Sequence, residues 1–332
     1  MERNYYFENI RKIFERNFEI TRLYATYLER FPEVITAELI EDITKDGISR
    51  EDALRAVLCE LFALELDRPS DMRLYREYLI PSVRMMDTRR YTENPYYRNI
   101  PLTDKKIGDW EIRSESYPAY RGVIARDMDI REDFIEIPPL GFFPEEFRFP
   151  AVLEGGNEWM TLTPVDLDTC EEAIEAARGD VITFGLGLGY YAYMVARKPE
   201  VRSITVVERS PDVIRLFREC ILPHFESPEK LRIIEADAFE YAEHTMPKEH
   251  YDLAFVDTWR DASDGAPMYR RMKRLEKHSP NTKFLYWIEN FLISRLRALR
   301  FAELADLYDK GELNMTSDEI RRELTEVERL IK

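Results

Sequence analysis

The chain is 332 residues long, which allows one large domain or two of ordinary size, and a chain of this length buries a core without disulfide staples. Its 64 acidic against 48 basic side chains give a formal net charge of −16, which disfavours nucleic acid and anionic membranes as partners. Three scattered cysteines (Cys59, Cys170 and Cys220), no apolar signal core at the start and no apolar run of about twenty residues predict a cytoplasmic protein without a membrane span.

Residues 1–87 have the periodicity of a helical bundle. Apolar side chains recur at steps of three and four between residues 10 and 31, which predicts one long helix ending before Pro32. Three further helices follow, and Ser49 with Asp52 forms a capping pair that opens the second of them. We expect this all-helical domain to cap an active site or to form a homodimer interface.

Residues 88–155 read as a connector with a small β region. Prolines recur there and separate short extended pieces, which include residues 120–125 and 134–137. Asn94-Pro95 predicts a turn. The stretch links the bundle to the next domain and is a candidate lid.

Residues 156–310 carry an α/β pattern. A helix predicted at Thr169–Arg178, with Gly179 as its stop, precedes the apolar run 181–184 and three alternating glycines. A helix-like segment, a second apolar run at 203–207 and Glu208 follow. This order predicts a Rossmann-like, doubly wound, mostly parallel sheet.

The glycine spacing distinguishes between cofactors. In the dinucleotide fingerprint the third small residue lies on the helix, but here that position is Tyr190, which argues against an NAD-dependent dehydrogenase. Gly185, Gly187 and Gly189, followed by Glu208, instead resemble motif I and its successor in class I S-adenosylmethionine-dependent methyltransferases. The resemblance implies that the glycines pass under the methionine and ribose portions of S-adenosylmethionine and that Glu208 binds the ribose hydroxyls.

Later segments continue the resemblance over roughly residues 155–300. The run 231–238 is similar to the family's third strand, so Asp237 would accept from the adenine amino group and the Ala238 amide would reach a ring nitrogen. The run 251–257 is similar to the fourth strand, and Asp257 would lie beside the methionine end, facing the substrate.

Other residues complete the candidate site. Thr258 and Trp259 follow Asp257 at a strand end, where α/β ligands bind, and Asp257 is the candidate general base, with a helix N-cap as the structural alternative. Trp159 and Tyr190 are further substrate-side candidates, and Trp159 fits a core position equally well. One position departs from the family, because Thr183 stands where many members have an acid.

The remaining segments have structural rather than functional interpretations. Residues 283–288 predict a fifth strand, and no strand-like run follows it, so the sheet is either truncated or completed from 110–150. A long helix to about residue 310 and a helix within 311–332 end the chain. A basic cluster is read as a solvated helix face rather than a phosphate-binding surface: Arg270, Arg271, Lys273, Arg274 and Lys277. No histidine pairs with cysteine or acid at metal-ligand spacing, so no metal is predicted.

Three functional hypotheses follow. The first is an S-adenosylmethionine-dependent methyltransferase with a small-molecule or protein acceptor. The second is an aminopropyl-type transferase resembling spermidine synthase, which Asp257 with Asp261 and Asp264 favours and Arg260 disfavours. The third is a non-catalytic module that binds S-adenosylmethionine, with the bundle as partner surface.

Overall fold

The computed structural model of the protein describes residues 2–101 and 104–332. Met1 and residues 102–103, which belong to the predicted ranges 1–87 and 88–155, lie outside the described residues. Along the described chain the helices are α1 (Glu2–Arg30), α2 (Ala37–Thr44), α3 (Arg50–Leu61), α4 (Pro69–Leu74), α5 (Ile80–Ser82), α6 (Thr88–Thr92), α7 (Pro95–Asn99), α8 (Pro164–Ala176), α9 (Tyr190–Ala196), α10 (Pro211–Cys220), α11 (Ala238–His244), α12 (Ala262–Leu275), α13 (Glu289–Asp309), α14 (Ser317–Thr325) and α15 (Val327–Leu330), with a π-helical turn at Tyr75–Leu79.

The strands are β1 (Val83–Met85), β2 (Lys105–Ile107), β3 (Trp110–Tyr117), β4 (Gly122–Ile124), β5 (Asp129–Ile130), β6 (Glu136–Ile137), β7 (Leu140–Phe142), β8 (Phe147–Glu154), β9 (Asn157–Thr161), β10 (Gly179–Phe184), β11 (Val201–Glu208), β12 (Leu231–Glu235), β13 (Leu253–Val256) and β14 (Lys283–Tyr286).

The chain divides into two compact units. The first comprises residues 1–88, 117–147 and 293–332, and the second comprises 89–116 and 148–292. The connector predicted at 88–155 is therefore shared between both units, and the C-terminal helices belong with the N-terminal ones. Within the described residues, no helix combines the length and the apolarity needed to cross a membrane.

The first unit is mostly helical. Ser49 accepts a hydrogen bond from the Asp52 amide and caps α3, as predicted. The expectation of an all-helical N-terminal domain is wrong in one respect, because β1 lies within it and pairs in parallel with β7, which also pairs antiparallel with β4. The strand escapes local prediction because it is only three residues long and its partner follows more than fifty positions later.

A buried polar network crosses the first unit. Arg297 on α13 donates to Glu136 at 2.8 Å, with both side chains buried, and also to the Leu324 carbonyl at 2.7 Å. Ser294 donates to the other Glu136 oxygen at 2.6 Å. The network joins β6 to α13 and α14 through charged side chains that are 6% exposed.

The second unit is built on a five-stranded parallel sheet in the order β12-β11-β10-β13-β14. Its central strands are buried runs of branched residues, which is typical of parallel sheets covered on both faces. Numbered from β10, the order is 3-2-1-4-5, the beginning of the order in doubly wound nucleotide-binding sheets. The switch point of such a sheet, where ligands bind, falls between β10 and β13.

The question of further strands is settled for the described residues. The sheet ends at β14, and the pieces from 110–150 pair elsewhere, in the sheets β1-β7-β4, β2-β3-β8-β9 and β5-β6. The truncated alternative is the one observed.

Three predicted boundaries differ from the structure. The helix α8 begins at Pro164 rather than Thr169, because Thr163 and Asp166 form a capping box, and Gly179 opens β10 instead of stopping a helix. Asn94-Pro95 is the start of α7, where the Asn94 side chain accepts from the Tyr96 amide. The last helix is broken at Glu326 into α14 and α15.

Candidate functional site

The carboxyl ends of all five parallel strands meet at one cavity of about 170 Å³. Each strand is followed directly by residues that line it: Gly185 after β10, Arg209 after β11, Ala236 after β12, Asp257 after β13 and Trp287 after β14. Crevices at this edge are where doubly wound sheets bind ligands.

The glycine loop after β10 is shaped by close approaches within the protein. Gly185 has φ +97°, and a Cβ there would lie 1.9 Å from the carbonyl oxygen of Asp257, so only glycine fits between β10 and β13. A Cβ on Gly187, at φ +48°, would lie 2.0 Å from the Met160 sulfur. The sequence predicts open space for a ligand beside Gly187. In the structure the Met160 side chain from β9 occupies that space. A Cβ on Gly189 would lie 2.3 Å from the Phe217 ring.

Glu208, at the end of β11, is tied to the loop. One carboxylate oxygen accepts from the Leu186 amide at 3.1 Å, and the other accepts from the Ser210 amide at 2.8 Å. A carboxylate offers about four lone-pair positions, so each oxygen retains one after these bonds. Glu208 lines the cavity and can accept two further donors there.

Asp237 and Ala238 mark the end of β12. The Asp237 Oδ1 accepts from the amides of Phe239 and Glu240, at 2.9 and 3.0 Å, and so caps α11. The Ala238 amide belongs to the first helical turn, whose N–H groups the helix itself leaves unpaired. Both residues line the cavity, so an acceptor and a donor stand side by side.

Asp257 lies in the cavity wall at the switch point. Burial, with repulsion from the carboxylates of Asp166 and Glu208, raises the pKa of Asp257 to about 8. The structural alternative of a helix N-cap does not apply, because Asp261 caps α12. A carboxyl group titrating near neutrality beside a cavity fits a proton acceptor.

A second acid beside Asp257 was not predicted. Asp166 on α8 is buried and lines the cavity, and burial raises its pKa to about 7. The spacing of Thr163 and Asp166, with Pro164 after Thr163, is typical of a helix N-terminus and would have indicated that Asp166 lies in the first turn of α8. Thr183 on β10 donates to the Gly185 carbonyl at 3.4 Å.

The substrate-side candidates separate into two groups. Trp159, Thr258 and Trp259 line the cavity with Asp257. Tyr190 does not, and instead lines an adjacent cavity of about 20 Å³ that also reaches Asp257. Its hydroxyl accepts from Asn94 at 3.1 Å.

Arg260 adds a positive charge to the cavity wall. Its guanidinium carbon lies 4.4 Å from the centre of the Trp159 ring, a cation–π contact that holds the side chain at the wall. The acids that follow Arg260 have a structural role. Asp261 and Asp264 form the capping box of α12, and neither lines the cavity.

The basic cluster on α12 is partly neutralised. Lys273 lies 3.0 Å from Glu276 and 3.4 Å from Glu289, and Arg271 packs over the Phe239 ring at 4.4 Å. At the opposite edge of the sheet, Asp180, His250 and Asp252 each have a side-chain atom of a kind that can bind a metal ion, and these three atoms lie within 4.8 Å of one another. Arg202 and Ser203 already bond Asp180 there.

Comparisons with known proteins find no matching family model and no matching curated protein. Similar solved structures include spermidine synthase from Thermotoga maritima, at TM-score 0.30 and 15% identity over 46% of this chain and 59% of that one. A spermidine synthase in complex with the transition state analogue AdoDATO matches at TM-score 0.30 and 14% identity, over 46% and 58% of the two chains. Precorrin 8W decarboxylase from Methanobacterium thermoautotrophicum matches at TM-score 0.29 and 20% identity, over 44% and 72%.

The match spans less than three fifths of the spermidine synthases and less than half of this chain.

Proposed function

We propose that the protein binds S-adenosylmethionine at the carboxyl edge of the parallel sheet and transfers its methyl group to an acceptor beside Asp257. The observation that carries the proposal is that one cavity is lined by the residues after all five strands, with acids at the carboxyl ends of three of them. In the order of the strands across the sheet these acids are Asp237, Glu208 and Asp257, which matches the order of the adenine, ribose and methionine portions along the cofactor.

The available acceptors and donors fit this cofactor. The spare lone pairs of Glu208 suit two adjacent ribose hydroxyls, because the backbone bonds to Leu186 and Ser210 fix the carboxylate in place. Asp237 Oδ2 is left open by the helix cap, and Phe239 supplies an aromatic face in the same part of the cavity. An adenine amino group and ring would meet complementary groups there.

The sulfonium of the cofactor supplies the activated methyl group. The protein has to align the acceptor lone pair with the methyl carbon, and positioning of this kind is worth about 7–11 kcal/mol. Asp257, with its pKa raised to about 8, is suited to take a proton from the acceptor.

Aminopropyl transfer is the second candidate, and the paired acids Asp166 and Asp257 favour it because they suit an amine substrate. Arg260 in the wall favours the intact cofactor, whose carboxylate would pair with its guanidinium. Decarboxylated cofactor with putrescine separates the two: aminopropylated product would replace methyl transfer as the assignment.

Calorimetric titration with S-adenosylmethionine and S-adenosylhomocysteine tests the proposal. We expect saturable binding of both, with dissociation constants of about 10 μM, or about −7 kcal/mol. Glu172→Gln, an exposed change on α8, is the matched control and should bind normally. Absence of binding of either compound at millimolar concentration would discard the methyltransferase assignment.

A further inference from the structure

We infer that Asp166 and Asp257 together form a subsite for a protonated primary amine. The inference rests on the proposed function, since it concerns the reactive end of the same cavity. The amine belongs either to the amino-acid portion of the cofactor or to the acceptor, and the experiment below separates these sources.

The geometry leaves acceptors without donors. Asp166 Oδ2 accepts from the amide and the hydroxyl of Thr163, at 2.7 and 2.8 Å, while its Oδ1 has no hydrogen-bond partner in the described part of the chain. The Asp257 carboxylate has none there either. Three open oxygens then face the two adjoining cavities, both of which Asp166 and Asp257 line. An ammonium group has three N–H donors.

Independent polar groups in the same wall also lack partners. Trp259 is 6% exposed and lines the cavity, and its indole N–H makes no hydrogen bond. The buried hydroxyl of Thr258 is likewise unpaired. Buried polar groups in folded proteins are nearly always satisfied, so these unpaired ones indicate that the cavity binds a ligand. The indole N–H can only donate, so its partner is an acceptor elsewhere on that ligand and not the ammonium group itself.

Electrostatics favour a cation at this place. The two carboxyl groups repel each other, and burial makes each harder to ionise. The other acids that act on the pair are Glu158, on Asp166, and Glu208, on Asp257, and burial together with both carboxylates of the pair raises the pKa of the Cys170 thiol. Arg209 and Arg260 line the cavity without forming an ion pair with either member in the described residues. A bound ammonium would remove the repulsion and stabilise both ionised forms.

The test compares S-adenosylhomocysteine, which has the amino-acid portion, with 5′-methylthioadenosine, which lacks it. Wild-type protein should prefer the former. Asp166→Asn keeps an oxygen for the Thr163 cap but removes the charge, and it should reduce this preference about tenfold or more while methylthioadenosine binds as before. Glu172→Gln, on the same helix, should leave the preference unchanged.

The second arm titrates putrescine into the protein saturated with methylthioadenosine. If the amine is the acceptor's, Asp166→Asn weakens putrescine binding instead, and this also supports the inference. If neither preference nor putrescine binding changes, the subsite is rejected while the nucleoside site stands. If methylthioadenosine itself does not bind, the proposed function fails and the inference fails with it.

Wild-type protein provides a measurement that does not depend on the variant folding. Titration of S-adenosylhomocysteine at pH 7 in buffers of different ionisation enthalpy counts the protons exchanged. Because an ammonium stabilises the ionised pair, binding should release protons, whereas methylthioadenosine should release none. If the amine is the acceptor's, putrescine added to the methylthioadenosine complex should release protons instead. Equal proton exchange for the two nucleosides, with no proton release on addition of putrescine, contradicts the inference.

Discussion

The Glu208 carboxylate accepts a hydrogen bond from the backbone amide of Leu186 at 3.1 Å. The acid that ends β11 is thereby joined to the glycine loop that follows β10, and the loop and the acid approach a ligand as one rigid unit. Charge-assisted bonds of this kind are about twice as strong as neutral ones.

Two substitutions of Glu208 should distinguish its contribution to ligand affinity from its contribution to protein stability. Glu208→Gln keeps an oxygen for one backbone amide but loses the charge, so we expect the affinity for S-adenosylhomocysteine to fall by about 1.5–3 kcal/mol with a smaller loss of stability. Glu208→Ala should add a loss of thermal stability, because the amides of Leu186 and Ser210 lose their partner. Calorimetry and thermal melts measure the two effects. Unchanged affinity in both variants would remove Glu208 from the ligand site.

The close approach of Gly187 and Met160 predicts a double-mutant cycle. Gly187→Ala should destabilise the protein by about 1–3 kcal/mol, because the residue has φ +48° and its new Cβ would meet the Met160 sulfur. In the Met160→Ala background the same change should cost less, since only the backbone strain remains. Denaturant unfolding of the four proteins gives the coupling energy. A coupling energy of zero would show that the thioether moves aside freely.

The buried pair of Arg297 and Glu136 predicts a large stability effect. Glu136→Gln should destabilise the first unit by about 3–5 kcal/mol, because it leaves the guanidinium charge buried without its counter-ion. Asp309→Asn removes the exposed partner of Arg11 and is the control, with an expected loss below about 1 kcal/mol. Urea unfolding measures both. Similar losses in the two variants would mean that the network is not isolated from water.

The acids Asp166 and Asp257 predict how stability depends on pH. Their folded-state pKa values, about 7 and about 8, lie above the ordinary value, so the folded protein binds more protons than the unfolded chain. Their stabilising contribution is complete below about pH 4 and is lost as the pH rises through 7 to 9.

We therefore expect the free energy of unfolding of the ligand-free protein to fall between about pH 5 and pH 9. Asp257→Asn should flatten this slope, because its amide does not titrate. Urea unfolding midpoints of both proteins at several pH values measure how the free energy of unfolding depends on pH. A wild-type profile that is flat, or that rises over this range, would contradict the burial of the pair.

Local sequence patterns were sufficient to predict the strands whose ends form the candidate site. Branched apolar runs followed by Gly185, Glu208, Asp237 and Asp257 predicted four strand ends, and the structure brings all four residues to one cavity. These signals are local, because each strand and the polar residue after it are contiguous in the chain.

Contacts between distant segments were not predictable in the same way. Strand β1 pairs with β7, and Met160 approaches Gly187. Both contacts join segments that are far apart in the sequence, and no local pattern specifies which distant segments meet. Asp166 was missed for a different reason: its capping box was present in the sequence, but the helix start was placed five residues too late.

The most direct measurement is a crystal structure of the protein grown with S-adenosylhomocysteine. The proposed function predicts the ribose hydroxyls within hydrogen-bond distance of Glu208, the adenine amino group beside Asp237, and the sulfur next to Asp257, with the Met160 side chain displaced from Gly187. Density for the ligand at any other place, or a cavity in which Met160 still covers Gly187 at saturating ligand, would contradict it.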